Sequence, residues 1–183
     1  VLRVDIGWLA NSRNNSIVDF GLSKSAEETF EFWDKNYTVQ RMIRLVRAYK
    51  PDIIIPTFLD VNGQHGHHRS VTRATIEAYD KSNDPEMFPD DNFGPWKISQ
   101  IFLPAWSGGG GSYDDEEDPP KATHSIDVGN FNHIYGGTYN QIGEWSRSYH
   151  ATQNIGKLAY EDKMEVPLHL LKGTYVEGDI TGG

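Results

Sequence analysis

The sequence predicts an α/β protein, in which strands alternate with helices. Three observations carry the prediction. Residues 52–59 form a short apolar run fit for a buried parallel strand, and it opens into a loop rich in Gly and His. Apolar residues recur at helical spacing on both sides of it, over residues 25–50 and 71–79. Residues 98–103 then supply another strand-like run, closed by Pro104. Such alternation implies a sheet joined by right-handed crossovers. With 183 residues, 37% hydrophobic content and no internal repeat, a single folded domain over residues 1–183 is expected.

Taken in order, Val1-Leu2-Arg3-Val4-Asp5-Ile6 is strand-like and begins without Met, so a piece of a longer polypeptide is expected. Residues 7–23 read as a polar loop. Ser25, with Glu28 three residues on, forms a capping-box pattern that starts a helix. Phe30, Trp33 and Tyr37 continue one face, Val39, Met42, Ile43 and Val46 extend it, and Pro51 stops it. Arg41, Arg44 and Arg47 share a face and read as solvated. In the following strand Pro56 forbids one ladder bond, which puts it near the strand's end.

Val71, Ala74, Thr75, Ala78 and Tyr79 predict a second helix, ended by Asn83-Asp84-Pro85. Residues 107–121 combine a Ser107-to-Ser112 glycine tract with the acidic run Asp114 to Asp118, and read as a flexible insertion whose carboxylates are solvated. His124 to Val128 resembles a strand. Thr138-Tyr139-Asn140-Gln141 caps a third helix with Ile142, Trp145 and Tyr149 on one face, and residues 166–171 form a last apolar element.

Several function classes are disfavoured. A net charge of −9 without a basic stripe argues against nucleic-acid binding. The lack of cysteine excludes disulfides and thiolate metal sites. No run approaches the roughly 20 apolar residues that cross a bilayer. No address signal assigns a compartment, and no pattern assigns an oligomeric state.

The segment Asp60-Val61-Asn62-Gly63-Gln64-His65-Gly66-His67-His68-Arg69 concentrates the chemistry, holding three of the seven histidines. Imidazole is a common zinc ligand and a ready proton donor near neutral pH. If the loop leads into a helix at Arg69, His68 lies near a helix N-terminus, where the partial positive charge favours the neutral imidazole that binds metal. His65 is then free to act as a proton donor or oxyanion partner, while His67 alternates away in the extended loop and reads as a packed or exposed side chain. Asp60 reads most simply as a turn residue, with a second role in orienting a histidine. One loop does not complete a zinc site. His124, His133, His150 and His169 are the other imidazoles, and none sits in a pattern that demands metal.

These residues resemble the PIG-L/LmbE-like family of zinc-dependent N-deacetylases over roughly residues 18 to 158. The resemblance rests on Asp19-Phe20-Gly21-Leu22-Ser23-Lys24-Ser25 with Glu28 and Trp33, on Lys50-Pro51-Asp52-Ile53-Ile54-Ile55, and on Gln64-His65-Gly66-His67-His68-Arg69. It continues in Asp84-Pro85, Phe88-Pro89, Pro95-Trp96, Gly137-Thr138-Tyr139 and the run Ser146 to Gln153. It implies a Rossmann-like, mostly parallel sheet flanked by helices. It also implies hydrolysis of the N-acetyl group of an amino sugar, glycoconjugate or related amide.

By the same resemblance His68 is a zinc ligand and His65 the catalytic acid. Asp60, Gln64 and His150 are then substrate-binding candidates. Tyr139 and Trp145 could border the pocket, although helix packing is the use expected of them. The family's His-Pro-Asp-Asp motif occurs nowhere in the chain. Two zinc ligands and the general-base Asp are therefore expected upstream, or the chain is an inactive relative.

Two other readings compete. His65-Gly66-His67 is faintly similar to the His-x-His-x-Asp-His loop of metallo-β-lactamases, but the Asp is missing. A non-catalytic carbohydrate-binding or scaffold relative would keep the fold and use aromatic side chains to hold a sugar.

Overall fold

A computed structural model describes residues 2–3, 23–56, 59–88, 92–105, 120–149, 164–175, 177–178 and 180. Residues 107–119 of the Gly-rich acidic segment and His150 lie outside these. Among the described residues eleven elements follow one another: β1 (Leu2–Arg3), α1 (Ala26–Trp33), α2 (Lys35–Tyr49), β2 (Ile53–Ile55), α3 (Gly66–Lys81), β3 (Gln100–Pro104), β4 (His124–Asp127), β5 (Phe131–Asn132), β6 (Gly137–Thr138), α4 (Tyr139–Ser148) and β7 (Glu165–Lys172). The main sheet has the order β1-β2-β3-β7-β4, and β5 pairs with β6 in a separate hairpin.

The fold is α/β, as the alternation of elements predicts, but the sheet is mixed instead of mostly parallel. β1, β2 and β3 run parallel, while β7 is antiparallel to both β3 and β4. β7 therefore inserts between two strands of common direction. Nothing local in an apolar run encodes that reversal, because direction is set by the connection that delivers the strand.

Alternation along β2 divides the core. Ile54 packs under Trp33, Val39, Met42, Ile43 and Val46 of α1 and α2, and under Val71, Ala74 and Ala78 of α3. Ile53 turns to the opposite face and meets Phe102, Leu168 and Ile180. Each such fully buried aliphatic side chain contributes about 1.5–3 kcal/mol. β2 ends directly before Pro56, as the missing N–H requires.

The first helical region is two helices, where its periodicity predicts one. Asp34 adopts φ 58°, ψ 108°, and closes α1 while its Oδ1 accepts from Tyr37 N at 3.1 Å to open α2. The break turns Tyr37 outward, away from the face that Trp33 buries. At the start of α1, Ser25 Oγ accepts from Glu28 N at 3.1 Å, and Glu28 Oε2 accepts from Lys24 N at 2.8 Å.

Arg47 is not solvated. It is 1% exposed and donates to the carbonyls of Ser82 (3.1 Å), Asp84 (2.6 Å), Met87 (2.6 Å) and Phe88 (3.5 Å). One guanidinium thus gathers the 82–88 turn, in which Phe88 holds a φ of 56°. The main-chain acceptors offset the cost of burying its charge.

Candidate active site

α3 begins at Gly66, not at Arg69, so the histidine cluster forms its first turn. His65 is the N-cap residue with extended backbone (φ −62°, ψ 143°) and makes no side-chain cap bond. His65 and His68, three apart, share one helical face. Their rings lie near parallel, at 15°, with centroids 6.0 Å apart. His67 is helical instead of extended and points inward, 8% exposed, with its ring 4.7 Å from that of Trp33. Of the packed and exposed placements open to it from sequence, the structure shows the packed one.

The turn sits beyond the carboxyl end of β2, the edge at which open α/β sheets expose their loops. It is fixed from the side by the segment leading into α1. Gly66 N donates to Ser23 O at 2.8 Å. A Cβ on Gly66 would lie 2.7 Å from Ser23 Oγ and closer still to Ser25 O and Thr29 Oγ1. Only glycine allows the two helices to approach this closely.

Asp60 reaches neither histidine. Its Oδ1 accepts from Arg69 Nε at 2.7 Å and its Oδ2 from Arg73 Nε. Arg73 also pairs with Glu27 on α1, and Arg69 donates to Lys24 O at 3.0 Å and Asn62 Oδ1 at 3.4 Å. This chain of charges ties the 60–65 loop to α3 and to the start of α1. Its hydrogen bond to Asp60 raises the Arg73 guanidinium above its ordinary value, partly opposed by burial. The Arg73 hydrogen bond in turn holds the Glu27 carboxyl below the usual carboxylate value. Arg69 and Arg73 were given no role from sequence. Their signal was their spacing of four on a helix that follows an acidic residue.

Gln64 belongs to the same loop and is 4% exposed. The remaining described histidines are elsewhere. His124 packs edge-on to Phe102 at 5.1 Å, with Nδ1 2.9 Å from Thr123 Oγ1. His133 meets Phe131, and His169 Nδ1 lies 2.9 Å from Lys121 O. Among the described residues no three His, Asp or Glu side chains cluster closely enough to hold a metal ion. Within that set His68 is a donor of suitable chemistry for zinc, and its position at the sheet's carboxyl edge suits one corner of a larger ligand set.

No family model matches the chain. Over 89 residues it is 28% identical to the 1D-myo-inositol 2-acetamido-2-deoxy-alpha-D-glucopyranoside deacetylase 1 of Frankia alni. The matched segment is 46% of this chain and spans only 30% of the length of that curated relative. What the chain is similar to, distantly and in part, is a deacetylase.

Proposed function

We propose that this chain is part of a zinc-dependent deacetylase of the PIG-L/LmbE-like type, acting on the N-acetyl group of an amino sugar or related amide. The observation that carries the reading is the pair His65 and His68 on one face of the first turn of α3, past the end of β2. The partial likeness to a deacetylase supports it.

His68 is the zinc ligand of this segment, with the other ligands supplied from outside the described residues. Bound zinc would supply a water that ionises near pH 7 and would polarise the amide carbonyl. His65 is exposed at the N-cap. There it would donate a hydrogen bond to the carbonyl oxygen as water adds and pass a proton to the amine nitrogen as the C–N bond breaks and acetate leaves. The water's own proton would go to the carboxylate base that the resemblance expects outside the described residues. Asp60 acts on substrate indirectly, by holding the loop that carries His65, and Gln64 is the substrate-binding candidate of that loop. His150 is the further substrate contact the resemblance offers.

The test couples metal analysis to acetate release from N-acetylglucosaminyl glycosides. His68→Ala is expected to lose zinc and activity together, and His65→Ala to keep zinc while turnover falls about 100-fold or more. Full turnover in His65→Ala, or unchanged zinc in His68→Ala, overturns the assignment.

A further inference from the structure

We propose that the β5–β6 hairpin and α4 form a stacking platform, centred on Tyr139 and Trp145, for uncharged sugar rings of a glycoconjugate. The proposal deepens the deacetylase reading and rests on it for the link to the histidine site. It commits the substrate to an extended glycan instead of a small amide.

α4 buries none of its residues, although its start is fully fixed. Thr138 Oγ1 accepts from Gln141 N at 3.2 Å, and Gln141 Oε1 accepts from Thr138 N at 2.9 Å. A helix anchored this firmly nonetheless turns Tyr139, Trp145 and Tyr149 to solvent, beside Phe131, Ile134 and Tyr135 of the hairpin. Trp145 is 50% exposed and Tyr149 88%.

Tyr139 and Trp145 are held by contacts with the hairpin. Asn132 Oδ1 accepts from Ile134 N at 3.0 Å and Tyr135 N at 3.1 Å, while its Nδ2 donates to Tyr139 OH at 3.2 Å. The Trp145 indole lies against the bare backbone of Gly137, where a Cβ would come within 2.7 Å of its Cη2. Rings fixed before binding lose little entropy when a ligand stacks on them.

The chemistry of the patch selects its occupant. In residues 128–149 of a chain with net charge −9, the only Asp, Glu, Lys or Arg side chains are Glu144 and Arg147, which pair with each other at 3.7 Å. The other polar groups there are amides, hydroxyls and one imidazole. Such a surface offers nothing to a phosphate or a basic peptide. Aromatic faces bordered by amides suit the C–H faces and hydroxyls of a pyranose.

Its place in the fold links it to the histidines. β4 runs in the same sense as β3 and continues past it, since Pro104 and His124 both pair with Leu168 while Asp127 pairs with Glu165. The hairpin and α4 therefore leave the sheet at the edge where the His65 loop lies. β4, the strand from which they leave, lies three strand spacings across the sheet from β2, about 14 Å. That is wider than one sugar ring, so a ligand meeting both must have several.

The experiment titrates the protein with N,N′,N″-triacetylchitotriose and with N-acetylglucosamine, following NMR shifts and heat. The trimer is expected to bind at least about tenfold tighter than the monosaccharide, and Trp145→Ala and Tyr139→Ala each to weaken it by about tenfold. Tyr49→Ala, an exposed ring on α2, is the control and leaves binding unchanged. Equal affinity for the two sugars, trimer binding indifferent to Trp145, or self-association that Trp145→Ala abolishes would each overturn the proposal. Acetate release with trimer binding indifferent to Trp145 removes the platform and keeps the deacetylase. Trp145-dependent trimer binding without acetate release does the reverse.

Discussion

Gly66 stands between the two histidines proposed for catalysis, yet the structure gives it a steric task, and Gly66→Ala tests that. Its N–H bonds Ser23 O at 2.8 Å, and its bare Cα faces Ser25 O and the fully buried Thr29. The obstructing atoms are a main-chain carbonyl and two hydroxyls that bond each other at 2.7 Å, so no flexible chain end can swing aside. Forcing a methyl group into such a contact costs about 1–3 kcal/mol. Weakening the bond to Ser23 adds about 1 kcal/mol. Against this, alanine gains up to about 1 kcal/mol from helix propensity and a less mobile unfolded chain. The balance is a destabilisation of about 1–3 kcal/mol, read in a urea titration. At about 2–4 °C per kcal/mol for a domain of this size, the melting temperature should fall by about 2–12 °C. Gly143→Ala is the paired control. Nothing lies within 4 Å of a Cβ built there, in the exposed helix α4. The same change should therefore stabilise, by about 0.5–1 kcal/mol. If Gly66→Ala leaves stability unchanged or raises it as Gly143→Ala does, the close approach of α1 and α3 is refuted.

Three further outcomes follow from the same contacts. Arg47→Met should cost about 3–5 kcal/mol, because it strands buried carbonyls of the 82–88 turn, and amide exchange there should accelerate; a loss under about 1 kcal/mol would remove the arginine from that role. Asp60→Asn weakens a network whose carboxylate is only 21% exposed, and should cost about 1–2 kcal/mol of unfolding free energy, less in high salt; an unfolding curve identical to that of the parent speaks against the clamp. Burial pushes the Glu77 carboxyl up, but hydrogen bonds from Lys35 and Lys81 outweigh it and hold the group below 4.5. Its stabilisation is therefore present above pH 4.5 and lost as pH falls through the lower folded value. Glu77→Gln should flatten that acid limb of the stability curve, and an unchanged limb would show the lysines to be idle.

One hidden boundary explains much of what sequence reasoning missed around the site. The spacing of Val71, Ala74 and Ala78 marks α3, but nothing marks its start, because the N-cap is a histidine whose side chain makes no capping bond. Read as an extended loop, His65, His67 and His68 alternate. As a helical turn, the first and third share a face and the second packs on Trp33. The same missing boundary hid Arg69 and Arg73, which reach Asp60 only once both are known to lie on one helix. Asp34 shows the converse problem. The apolar spacing runs straight through it from Trp33 to Tyr37, and its positive φ leaves no periodic trace. Arg47 shares a helical face with Arg41 and Arg44, and its burial depends on carbonyls 35 or more residues away. Patterns of period 3.6 or 2 encode which face is apolar. They do not encode where an unusual cap begins a helix, or which distant main chain will solvate a charge. The motif histidines stand out in the sequence because chemistry selects residue types, whereas the groups that hold their loop are selected by geometry that exists only after folding.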